Sequence, residues 1–136
     1  MITAGEAVRF IGPDVAQLVT PDLVLLGPNL PHFWATVNSS GFFAQFQFGS
    51  SDDVTQLAEM AAFSSLIDRA ANGLAFAPGT TTRVADLFGK ALTQSPIGRL
   101  ATLLEIFDRL VEDGGVEISS GNPPSSDELV HQAAVS

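Results

Sequence analysis

Cysteine and tyrosine are both missing from this 136-residue chain, tryptophan occurs once and histidine twice. Without cysteine there can be no disulfide framework, thiolate metal site or cysteine nucleophile, and the composition leans towards a reducing compartment. Basic residues are also scarce. Arg9, Arg69, Arg83, Lys90, Arg99 and Arg109 stand scattered against 15 acidic residues, which makes the formal charge -9 and the sequence pI about 4.3. Nucleic-acid binding needs a patch that neutralises several phosphates together, so this chain alone is expected to bind neither DNA nor RNA. No apolar run approaches the ~20 residues that span a bilayer, and Met1 to Phe10 has neither the basic start nor the long apolar stretch of a signal peptide. The expectation is a soluble, cytoplasmic protein with no membrane partner.

What is present is a 46% hydrophobic composition, enough to build one core in a chain of single-domain length. Three regions differ in hydrophobic period. Residues 1–49 read as β. Ala7 to Ile11 is a strand stopped by Gly12-Pro13-Asp14, and Leu23-Val24-Leu25-Leu26 is an apolar run between Thr20-Pro21-Asp22 and Gly27-Pro28-Asn29, as if buried on both faces. His32 to Val37 follows, closed by the turn cluster Asn38-Ser39-Ser40-Gly41. Phe42 to Phe48 then alternates as a further strand, with Phe42, Ala44, Phe46 and Phe48 on one face and Phe43, Gln45 and Gln47 on the other.

Residues 50–115 switch to helical spacing. Ser50 to Asp53 offers N-cap oxygens to one or two helices that run to Asn72-Gly73, and Thr80 to Thr82 offers them to a helix carrying Val84, Leu87, Phe88, Ala91 and Leu92. Pro96 opens the best-patterned helix, whose stripe is Ile97, Leu100, Leu103, Leu104, Phe107, Leu110 and Val111, and Gly114-Gly115 ends it. Residues 116–136 are polar and proline-containing, a linker or tail in which Asp127 to Val135 could start another helix. The fold class expected is α+β, with a partial antiparallel sheet or barrel followed by helices of the same domain.

Catalytic constellations are scarce. His32 and His131 lie in different regions with no further ligands beside them, and neither a G-x-S-x-G elbow nor a glycine-rich phosphate loop occurs. The carboxylate pairs Asp52-Asp53 and Glu112-Asp113 fall at helix ends, where capping or solvation is their ordinary work. The reading is a non-enzyme with no catalytic residues, metal or cofactor. Two binding surfaces remain. The aromatic-rich β segment could line a concavity for a small organic ligand, with His32, Trp34, Gln45 and Phe46 as its candidate contacts, although plain core is the commoner role of such aromatics, since any barrel interior needs them. The stripe on residues 97–111 could pack within the chain alone, or also on a second copy through Leu100, Leu103, Leu104, Phe107 and Leu110.

The run Arg9-Phe10-Ile11-Gly12, followed by Asp22-Leu23-Val24-Leu25-Leu26-Gly27-Pro28-Asn29-Leu30-Pro31-His32-Phe33-Trp34, resembles the cupin-type regulatory domain of AraC-family bacterial transcription regulators. Leu57 to Met60, Leu66 to Phe76 and Gly98 to Leu110 are similar to the helical segment that follows the cupin in that family, so the likeness covers about residues 7–113. The resemblance implies a module that senses a small effector or dimerises through its terminal helices, as a homodimer or as a heterodimer with a full-length regulator. It also implies that Ser119 to Ser126 is an interdomain linker. The strands that usually precede the R-F-I-G run and the helix-turn-helix units have no counterpart in these residues, and Pro21-Asp22 stands where the family often shows Gly-Asp. The expectation is thus a truncated or stand-alone regulator module without its own DNA-binding part. A small cupin enzyme or sugar-binding protein is the alternative.

Overall fold

The computed structural model describes residues 1–47 and 56–118. They form an α+β fold of two three-stranded antiparallel sheets and three α-helices. The first sheet has β1 (Ile2–Ile11) at its centre, flanked by β2 (Asp14–Gln17) and β4 (His32–Gly41). Gly12-Pro13 turns β1 directly into β2, pairing Ile11 with Asp14, so the proline ends one strand and starts its hairpin partner. β1 is longer than the sequence pattern predicts, reaching back to Ile2, and β4 runs on through Asn38 to Gly41, where the residue types predict a turn. The pairing of that outer half is irregular, with register shifts between Ile2 and Glu6. Gly5 at φ 94° lies against the Asn38 and Ser39 backbone so closely that a Cβ there would collide with it, which explains glycine in mid-strand.

β2 and β4 remain edges on either side of β1, and no closed barrel forms among the described residues. The second sheet is smaller. It sets β5 (Leu74–Ala75) between β3 (Val24–Leu25) and β6 (Val116–Glu117), tying together the three regions that differ in period. Only two residues of the Leu23 to Leu26 run pair as strand, and Leu23 and Leu25 are buried while Val24 and Leu26 are half-buried. Residues 116–118 belong to this sheet and not to a linker, since the Ile118 amide also donates to the Gly73 carbonyl at 3.0 Å. The expected linker at Ser119 to Ser126, the tail helix with His131, the cap candidates Ser50 to Asp53 and Phe48 lie outside the described residues.

The helices are α1 (Ala61–Arg69), framed by 3₁₀ turns at Ala58–Met60 and Ala70–Asn72, α2 (Pro78–Ala91) and α3 (Pro96–Asp113). Proline stands first in both α2 and α3, where a missing N–H leaves no bond unmade. Ser95 caps α3 by accepting from the Gly98 amide at 3.2 Å, and Gly114 ends it in the left-handed conformation. Thr80 to Thr82 are not the N-cap of α2. Ala77 is, and the hydroxyls of Thr81 and Thr82, already inside the helix, donate back to the carbonyls of Ala77 and Pro78.

The main core lies between the second sheet and the helices, where Leu23, Leu25, Phe63, Leu66, Leu74, Val84, Leu87, Ile106, Phe107 and Leu110 are buried together. At its centre the rings of Phe63 and Phe107 stack with centroids 3.9 Å apart. Gly27 is held against the 3₁₀ turn by its amide, which donates to the Ala70 carbonyl at 2.9 Å. A Cβ on Gly27 would sit 2.8 Å from that same oxygen. The Gly-Pro corner after β3 is therefore a backbone-to-backbone contact that admits no side chain.

Candidate functional site

α2 and α3 form an antiparallel hairpin whose polar contacts come from helix ends. At one end Asp113 accepts from the Ala77 amide at 3.0 Å, the Thr80 hydroxyl at 2.6 Å and the Gly115 amide at 3.1 Å, so the last residue of α3 caps the first turn of α2. Burial pushes the Asp113 carboxyl up, but these three hydrogen bonds outweigh it and leave the pKa below the usual 3.8. At the other end Arg99 donates to the Ala91 carbonyl at 3.1 Å and the Leu92 carbonyl at 3.5 Å, where α2 stops. An anion at the N-terminus and a cation at the C-terminus of one helix both oppose its dipole favourably. Between them Arg83 pairs with Glu105 at 3.2 Å, and the Thr102 hydroxyl donates to Gln94 at 2.6 Å.

This hairpin divides the α3 stripe. Phe107 and Leu110 are buried at 4%, and Leu103 packs half-buried against the same core. Three of the five residues proposed as a dimer contact are therefore used inside the chain. Leu100 and Leu104 remain outside, 49% and 43% exposed, and Ile97 joins them at 74%. Their spacing of three and four residues puts them on one helix face. Leu92, 66% exposed, lies at the same end of the hairpin. The cavity beside the opposite end, about 280 Å³, is lined by Gly79, Thr80, Arg83, Arg109, Glu112 and Asp113, and both of its arginines are already paired with glutamates. It contains none of the residues expected to bind a ligand.

The aromatic residues of the β segment do not gather in one concavity. Phe10 and Phe33, paired across β1 and β4, stack at 4.3 Å on one face of the first sheet, with Phe33 57% exposed. His32 and Trp34 lie on the other face and touch edge to plane at 5.7 Å. Phe42 and Phe46 leave the sheet. The chain after Gly41 carries no regular strand over residues 42–47, yet Phe42 stacks on Phe88 of α2 and Phe46 packs on Phe63 and Phe107. Of the expected alternation, Phe42 and Phe46 are half-buried and Phe43 is 82% exposed, but Ala44, expected on the face of Phe42 and Phe46, is exposed, and the expected strand is absent there. Gln45 is exposed. Of the four expected ligand residues only His32 and Trp34 meet.

The residue pattern alone missed the partner of that pair. Arg9, opposite Trp34 on β1, is 7% exposed, and its Nη1 donates to both oxygens of Asp22 at 2.8 Å. Asp22 also faces the Met1 amino group, whose pKa burial pulls below 8.0 while the Asp22 charge partly restores it. The available signal was a lone arginine at an inward position of an otherwise apolar strand. His32 donates from Nδ1 to the Leu30 carbonyl at 2.7 Å and is exposed. Among the described residues no three His, Cys, Asp or Glu side chains come together to hold a metal, and no helix is long and apolar enough to cross a membrane. Compared with known proteins, the chain matches no family model, no curated protein and no solved structure.

Proposed function

We propose that the chain is a regulatory module of an AraC-like bacterial transcription regulator, with a cupin-like β part, acting in the cytoplasm by association and effector sensing and not by catalysis. The observation that carries this reading is the exposed face of Ile97, Leu100 and Leu104 on a helix hairpin braced at both ends by Asp113 and Arg99. A rigid helix pair that leaves three large aliphatic side chains in water is the kind of surface another helix pair covers. The module reading takes that cover to be a second copy of the chain or the matching helices of a full-length regulator. DNA contact falls to residues other than these, because six scattered cations in a chain of charge -9 form no phosphate-binding patch.

Sedimentation velocity at ~100 μM, a concentration at which even a modest interface is populated, tests the reading. The wild-type chain is expected to sediment as a dimer, and the double variant Leu100→Asp, Leu104→Asp as a monomer. Because both leucines are exposed in the monomer, the variant should keep its thermal stability to within about 1 kcal/mol. Added salt should tighten the wild-type dimer by screening two like-charged copies from each other. A wild-type chain that stays monomeric at both low and high salt would defeat the self-association reading.

A further inference from the structure

β4 leaves one side of its backbone unpaired. Its residues His32–Gly41 pair with β1, and among the described residues no strand lies on their other side. The Gly12 amide donates to the Pro31 carbonyl at 2.8 Å, which fixes the alternation along the ladder: Phe33, Ala35 and Val37 turn their backbone groups towards β1, while His32, Trp34 and Thr36 turn theirs outward. Sheet edges are ordinarily blunted by charge, proline or shortness. The opposite edge, β2, has four residues, follows Pro13 and starts on Asp14. β4 contains no proline and no Asp, Glu, Lys or Arg, in a chain of charge -9. Only beyond Val37 does it bend, at Asn38 with φ 47° and at the register shift beside it.

We propose that the edge over residues 33–37 pairs antiparallel with the same edge of a second copy, about a two-fold axis through Ala35, which joins two first sheets into one. The strand is complementary to itself in that register. Phe33 of each copy lies directly opposite Val37 of the other, and Trp34 opposite Thr36. Phe33 and Val37 are 57% and 53% exposed on one face of the sheet, and an aromatic opposite a β-branched residue is a favourable cross-strand pair. Trp34 and Thr36 exchange both of their outward backbone hydrogen bonds across the axis. An axis through Trp34 or Thr36 would instead set Phe33 opposite Ala35 or Ser39 and leave Val37 without an aromatic. Because the paired strands carry no charge, two acidic copies meet there without like charges face to face. The contact is shorter than the ~1,000 Å² of a stable interface, so it fills near ~1 mM and hardly at ~100 μM. It is separate from the exposed α3 face and does not rest on the proposed function.

The test is disulfide trapping at ~1 mM in the full chain carrying Leu100→Asp and Leu104→Asp, so that the α3 face cannot hold two copies together. The chain has no cysteine, and an introduced thiol therefore reports alone. Ala35 is exposed, and Ala35→Cys sets two thiols across the axis at a non-hydrogen-bonded pair, with Cα atoms ~4.5 Å apart and within reach of a disulfide. Phe33→Cys alone, or Val37→Cys alone, leaves its two copies offset by four residues, ~13 Å along the strand, whereas a mixture of the two variants sets them opposite each other. The expected result is that Ala35→Cys, and the mixture of Phe33→Cys with Val37→Cys, form covalent dimers at least tenfold faster than Phe33→Cys or Val37→Cys alone. Adding Thr36→Pro, which removes an outward amide and no bond to β1, should slow the Ala35→Cys reaction at least tenfold. If Thr36→Pro fails to fold by circular dichroism, the pattern over the three positions still decides. Rates equal at all three positions, a mixture no faster than its components, or a folded Thr36→Pro variant that cross-links as before overturns the proposal.

Discussion

Replacing Asp22 by Asn leaves the Arg9 guanidinium buried without its counter-charge, and the structure sets the size of the effect. The two side chains are 9% and 19% exposed, and both carboxylate oxygens are spent on one arginine nitrogen. Breaking such a pair from one side costs about 3–5 kcal/mol, because the remaining charge stays desolvated. The residual exposure of Asp22 places the loss near the lower end, about 3 kcal/mol. In a domain of ordinary stability, roughly 5–15 kcal/mol, Asp22→Asn should still fold, with a Tm lower by on the order of 10 °C. Removing both charges with Arg9→Met, Asp22→Leu should cost less than the sum of the two single changes, since no lone charge is left behind. Urea unfolding followed by circular dichroism and by Trp34 fluorescence measures wild type, Asp22→Asn, the two single variants and the double variant on one scale. A loss under about 1 kcal/mol for Asp22→Asn, or strict additivity in the cycle, would refute the view that this pair is desolvated and coupled.

Asp113→Ala removes the acceptor of two hydrogen bonds at the start of α2 and of one from Gly115 after α3, and should cost about 1–2 kcal/mol in thermal unfolding, as for a lost helix cap. Because the folded pKa of Asp113 lies below its ordinary 3.8, its contribution is present in full above that value and disappears as pH falls through the folded pKa. The stability gap between wild type and Asp113→Asn should therefore be constant near neutrality and narrow only in strong acid. Phe107→Ala should lose about 3–5 kcal/mol in denaturant unfolding, since its ring is 4% exposed and stacked on Phe63. Gly27→Ala should destabilise by roughly 1–3 kcal/mol despite adding one methyl group, because that methyl would meet the Ala70 backbone, and an unchanged denaturant midpoint would show that the corner yields.

Helix α3 was legible from its sequence because proline, a stripe of period 3.6 and two glycines are local signals, and the structure places its ends at Pro96 and Asp113. The short strands were less so. A two-residue strand such as β6 exists only because β5 lies beside it, and the alternating residues from Phe42 have no neighbouring strand to pair with. The candidate site divides in the same way. His32 and Trp34 stood among the four candidate ligand contacts by residue type alone, whereas Arg9 acquires its meaning from Asp22, thirteen residues away, and from its register with Trp34.

By itself the sequence determined the α+β class and the end of β1 at Gly12-Pro13, since each depends on residue type and near neighbours. Only the tertiary structure decided which part of the α3 stripe is core and which faces water. Periodicity marks an apolar face, but the width of that face actually covered depends on where α1, α2 and the second sheet come to rest against it. The structure likewise decided that the aromatics of the β segment serve three different surfaces, because a strand that ends at Gly41 releases Phe42 and Phe46 to the helices.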